Sequence, residues 1–253
     1  MDPAPHVRPL AGQPELPGPD WRAFSLWCPT PLQRLYCRLG LADDAYELAG
    51  RRAAVVTAVA WVPLLVLSAI DRRMDMGVKV PFLQDLDAQA RILIALPLLI
   101  WGEVVIHRRM PVTMRGFVER HLVDGTTRTA FDAALSRILR LSRSVLAEIL
   151  IAIGVATIGV KVGTSITTIA DSSWYGDVVN GSTVLTPAGW WYVVISRPLF
   201  QFVLLRWYYR FALWDGLLWE LSRLRLHLVP THPDHRAGLG FLFALSDAFG
   251  PFM

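Results

Sequence analysis

From residue 53 to residue 70 the chain reads AAVVTAVAWVPLLVLSAI, eighteen residues without a charged side chain. A helix of about 20 mostly apolar residues crosses the ~30 Å hydrocarbon core of a bilayer, because each residue rises about 1.5 Å. Pro63 interrupts the block, and a membrane helix tolerates proline where a soluble one does not. Three more blocks follow. Residues 88–106 carry Pro97 and Glu103, residues 145–170 carry Glu148 and Lys161 among Gly154, Gly159 and Gly163, and residues 188–209 are aromatic at both ends. A soluble core would need four such helices in 253 residues with charge confined to their connections, which a globule of that size does not require. The blocks lack the period-two alternation of barrel strands. The fold class is therefore all-α, a polytopic transmembrane helical bundle of four spans.

Composition agrees. Charged residues make up 18% of the chain and apolar ones 53%, with a mean hydropathy of +0.39. A soluble domain averages about 25% charged. The apolar content excludes a disordered chain, and two cysteines, Cys28 and Cys37, exclude a disulfide scaffold.

Basic residues set the orientation. Nineteen of 25 lie before the first block, between the second and third, or from Arg206 onward, and four, Arg72, Arg73, Lys79 and Arg91, lie between the first block and Ile92. Positive charge stays on the cytoplasmic face, so the amino terminus and the segment 107–144 are expected inside. The net charge of +4 then reports topology and attraction to anionic lipid, and no nucleic-acid partner is expected.

Outside the spans, residues 1–20 hold six prolines and read as a disordered cytoplasmic tail. Residues 21–52 read as a cytoplasmic or interfacial helix, ahead of a membrane domain over 53–210. Within 107–144, Phe131, Ala134, Leu135, Ile138 and Leu139 recur at helical spacing among arginines. That pattern is an amphipathic basic helix, packed in a small cytoplasmic bundle or lying on the surface. Residues 211–238 read as an interfacial helix followed by a His-Pro-Asp-His turn. Residues 239–253 begin an apolar run too short to span, which is either a re-entrant or surface piece or, the favoured reading, the start of a fifth span cut short.

Charge at membrane depth is costly and faces the bundle or a polar cavity. Helix rise places Glu103, Glu148, Arg206 and Arg210 at similar depth near the basic ends of their spans, with opposite signs, as one polar layer. Arg197 lies about 13 Å deeper than Arg206, beside Pro198. Lys161 falls nearer the outer face, between Gly159 and Gly163. These six residues are the candidate intramembrane polar site. Its two readings are a route for a small ion or anion and a set of pairs that fixes helix depth.

His232, Asp234 and His235 are the candidate metal ligands, with His227, His107 and His121 as further imidazoles on the same predicted side. The bland reading of the same residues is a capped turn. No catalytic set and no cofactor motif is legible. The run LVPTHPDHRAGLGF, residues 228–241, together with the arginine-flanked spans, resembles an uncharacterised family of bacterial multi-pass inner-membrane proteins. In that family a Thr-His-Pro-Asp turn follows an even-numbered span. The resemblance implies a bacterial inner membrane and further spans beyond this chain, and it carries no known activity.

Two function classes follow. One is a transporter or channel-like protein using the charged site. The other is a membrane-anchored signalling or assembly protein acting through its cytoplasmic helices. A metal-dependent membrane enzyme is a third reading, and the lipid bilayer and a homo-oligomer are the implied partners.

Overall fold

A computed structural model describes residues 49–75, 78–119, 122–123, 125–159, 173–179, 182–226 and 239–242. Helix α1 is Ala49–Ile70. Helix α2 starts as Leu86–Gln89, widens to a π-helical stretch at Ala90–Ala95 and continues as Leu96–Glu119. Helix α3 is Gly125–Ser142, and α4 is Val145–Gly154 followed by a π-helical turn at Val155–Gly159. Strands β1, Gly176–Val179, and β2, Ser182–Leu185, pair antiparallel with Asp177 opposite Val184. Helix α5 comprises Pro187–Trp191, a π-helical turn Tyr192–Ser196 and Arg197–Ser222. The hairpin is a small departure from the all-α expectation. Its strands are rich in valine and threonine, and the Asn180-Gly181 pair between them is a hairpin signal in the sequence.

Three helices are long and apolar enough to cross a membrane: Gly50–Ile70, Leu86–Phe117 and Pro187–Ser222. The described apolar part of α4, Val145–Thr157, is shorter, and the rest of the predicted third span lies outside the described residues. On α1, Ala53, Val56, Ala60 and Leu64 recur at three- and four-residue spacing and are buried, while Val55, Val59, Val62 and Val66 are exposed. Both faces are apolar, so this helix shows no amphipathic stripe. Lipid can solvate the outer face and water cannot.

The prolines explain the local irregularities. Proline supplies no N–H, which orphans the carbonyl four residues earlier. For Pro63 that carbonyl belongs to Val59, and Trp191 Nε1 of α5 donates to it at 3.3 Å. Ser196 Oγ donates to the neighbouring Ala60 carbonyl at 2.7 Å. Pro97 and Pro198 each stand two residues after a π-helical stretch, where the wider turn makes room for the ring. These bonds pin α1 against α5, as an environment without water demands of exposed backbone.

At the basic end, α2 and α5 outlast any bilayer. The 36 residues Pro187–Ser222 span about 54 Å of helix. Helix α2 therefore continues past residue 106, where the sequence suggested a connection, and reaches Glu119. Residues 211–222, read as an interfacial helix, are the unbroken end of α5. Helix α3 packs along this extension, burying Phe131, Ala134, Leu135 and Ile138 with Leu213, Leu217 and Leu221. Phe117 of α2 meets Phe131 at 5.7 Å between ring centroids and Phe241 at 5.0 Å. Of the two arrangements open for the amphipathic segment, the structure adopts the small bundle.

At the other end the hairpin is tied to the α1–α2 connection. Arg73 donates to both carboxylate oxygens of Asp177, at 2.9 and 2.5 Å, and to the Ser173 carbonyl at 3.1 Å. The Arg73 hydrogen bonds hold the Asp177 carboxyl below its ordinary value. A depressed carboxyl pKa contributes stability above the unfolded value, about 3.9 for Asp, which is lost as pH falls through the folded one. Hairpin docking is thus expected to be pH-independent near neutrality and to loosen below about pH 4. Tryptophan fluorescence against pH reads this, and Asp177→Asn should remove the acid step; an unchanged step would assign it to another group.

Candidate functional site

Four helices deliver charge to one buried level. Glu103 comes from α2, Arg52 from the first turns of α1, Arg206 and Arg210 from one face of α5, and Glu148 from the first turn of α4. Arg210 Nη1 donates to Glu103 Oε1 at 2.7 Å, and Arg52 Nη2 donates to Glu103 Oε2. Arg206 bridges the two acids, with Nη1 3.9 Å from Glu103 Oε1 and Nε 3.5 Å from Glu148 Oε1. The Glu103 side chain is 5% exposed. Among the described residues, three guanidinium groups face two carboxylates at this level.

The local sequence makes this possible. Arg206 and Arg210 are four residues apart and therefore share a helix face. Guanidinium keeps its charge when buried and is less strongly hydrated than ammonium, so arginine suits such a layer where lysine does not. Glu103 is the only one of the five with both oxygens bonded to arginine, which makes it the hub.

Beside the hub, α3 turns into α4 through Arg143 and Ser144. Ser144 caps α4, accepting from the Ala147 N–H at 3.4 Å. Tyr209 OH of α5 donates to the Leu141 carbonyl at 2.7 Å, satisfying an acceptor at the end of α3. Between these groups lies a cavity of about 10 Å³, lined by Ser142, Ser144, Glu148, Arg206, Tyr209 and Arg210. That is room for one water. Glu148 Oε1 is buried at its edge with the 3.5 Å approach of Arg206 and no hydrogen bond. The arrangement holds helices at fixed depth and leaves one polar oxygen reachable by a single small molecule.

Of the six sequence-predicted site residues, the structure brings together Glu103, Glu148, Arg206 and Arg210. Arg197 stands apart, half-buried just after the π-helical turn of α5, and makes no ion pair with a described residue. Lys161 lies outside the described residues, as do His227, His232, Asp234 and His235. Among the described residues no group of three or more His, Cys, Asp or Glu side chains is placed to hold a metal ion.

Arg52 is the member that sequence reasoning missed. Ahead of the first apolar block it reads only as a topology charge, although helix rise puts it at the level of Glu103.

Comparison of the chain with family models, with curated proteins and with solved structures gives no match. The site defines a class by its geometry alone: a helical protein with membrane-length helices clamped by a buried arginine–glutamate layer.

Proposed function

We propose that the chain is a multi-pass protein of the bacterial inner membrane, its amino terminus cytoplasmic, acting as a signalling or assembly element through the bundle at its basic end. One observation carries this reading. Helices α2 and α5 pass without a break from their apolar lengths into the packed bundle with α3, and the five-residue charge layer clamps them where the two regions meet. A perturbation on one side is then delivered to the other as a movement of whole helices. The nineteen-to-four division of basic residues supports the orientation, and the apolar start of α4 supports a fourth span. The resemblance carried by Thr231, His232, Pro233 and Asp234 supports the bacterial inner membrane and further spans.

The test is hydrogen exchange of the full chain in lipid nanodiscs. Glu148→Gln should loosen the corner between α3 and α4 and speed exchange across residues 125–142 by about fivefold, for loss of its 3.5 Å ion pair with Arg206, worth about 1 kcal/mol. Exchange in α1 should not change. Equal rates in the two proteins would remove the coupling on which the proposal stands.

A second reading is favoured by Glu148 Oε1 at its water-sized cavity and by Arg197 beside the π-helical turn of α5: transport of a proton or small anion. Faster dissipation of an imposed gradient in reconstituted vesicles than in protein-free ones, abolished by Arg197→Leu, would replace the first reading with this one.

A further inference from the structure

Along α1, Gly50, Ala54, Ala58 and Val62 follow one another at four-residue spacing and are all exposed. With Leu93 and Pro97 of α2 they wall an open apolar groove of about 460 Å³. Gly50, Ala53, Ala54 and Ala58 line it as small residues, and Thr57 and Trp61 complete the α1 wall. Thirteen residues of helix from Gly50 to Val62 rise about 18 Å. That approximates one leaflet of a ~30 Å hydrocarbon core. The groove begins at the basic end of the helix. Arg51, the residue after Gly50, is exposed and stands about 60° around the helix from Ala54, beside the groove-lining face, with no ion pair to a described residue. Its neighbour Arg52 is committed to Glu103.

We propose that this groove is a binding site for one anionic phospholipid, with an acyl chain laid along Gly50, Ala54 and Ala58 and the headgroup phosphate on Arg51. Charge decides between this occupant and a second copy of the chain. A ridge of small residues also lets two helices approach closely. Symmetric docking of two copies through this ridge sets Arg51 against Arg51, however, whereas a phosphate supplies the opposite charge and an arginine–phosphate fork. The site requires α1 to lie in lipid. It does not depend on the signalling or assembly role.

Native mass spectrometry of the full chain, released from nanodiscs of equal phosphatidylglycerol and phosphatidylcholine, tests the site. The expected result is one lipid retained per chain, with about a fivefold preference for phosphatidylglycerol, the effect of one basic side chain at an anionic surface. Arg51→Gln should bring that preference to about one while a lipid is still retained. Ala54→Leu with Ala58→Leu should lose both lipids. Arg51→Gln changes no described contact, so it stays informative if the leucine variant does not fold. Retention that neither variant alters overturns the proposal. So does a lipid-free species of two chains that Ala54→Leu splits, which would give the groove to a second copy.

Discussion

Replacing Glu103 with glutamine is expected to cost about 3–5 kcal/mol, the range for removing one partner from a buried ion pair. The amide keeps the shape of the carboxylate but leaves Arg52, Arg206 and Arg210 around a neutral group. The loss should appear as a lower denaturation midpoint in detergent and as a fall in the monodisperse fraction on gel filtration. Changing Arg52, Glu103 and Arg210 together to methionine should recover most of it, because that removes the stranded charges and leaves Arg206 opposite Glu148. A glutamine variant as stable as the parent would show that the layer does not hold the helices.

The second large effect is expected at Trp174, whose side chain is fully buried between the hairpin and the ends of two long helices. Its Nε1 donates to Asp85 Oδ2 at 2.9 Å, and the other oxygen of Asp85 caps α2 through the Ala88 N–H at 3.0 Å. Its carbonyl accepts from Thr186 Oγ1 at 3.0 Å, and that hydroxyl caps α5 by accepting from the Gly189 N–H at 3.0 Å. The ring meets Phe82 at 5.0 Å and Tyr192 at 5.3 Å. Trp174→Ala should therefore cost about 3–5 kcal/mol, as large aromatic truncations in a core do. Trp174→Phe should lose about 1 kcal/mol, the indole hydrogen bond alone. Hydrogen exchange over residues 173–185 separates the two variants. Equal protection in both would mean that the ring contributes nothing to docking the hairpin. The same junction is intolerant of bulk at Gly189, where a Cβ would stand 1.9 Å from the Tyr175 carbonyl oxygen.

How far the sequence speaks for itself varies along this chain for physical reasons. Apolar length and helix rise depend on consecutive residues, so the long helices and the common depth of Glu103, Glu148, Arg206 and Arg210 can be read directly. The fusion of span and extension in α2 and α5 is harder to read, because the change from apolar to basic composition near His107 and Tyr209 resembles an ending. Helical hydrogen bonds continue through it regardless. Arg52 finds Glu103 across 51 residues of chain, a contact that no local pattern encodes. Trp174 lies in a connection without periodicity. The caps beside it were available in principle: Asp85 precedes the first turn of α2, and Thr186 stands before a proline at the start of α5.

The repair of the Pro63 gap has a consequence for how the chain is made. The Val59 carbonyl waits for an indole 132 residues downstream. At about 5–20 residues per second, translation leaves that oxygen without its tryptophan for roughly 7–26 s. Arg52 and Glu103 both emerge well before then, so the first helical hairpin leaves the ribosome with its own charges able to cancel. Helix α5 then brings Trp191, Arg206 and Arg210 in one piece, completing the backbone bonding of α1 and adding two guanidinium groups to the Glu103 layer.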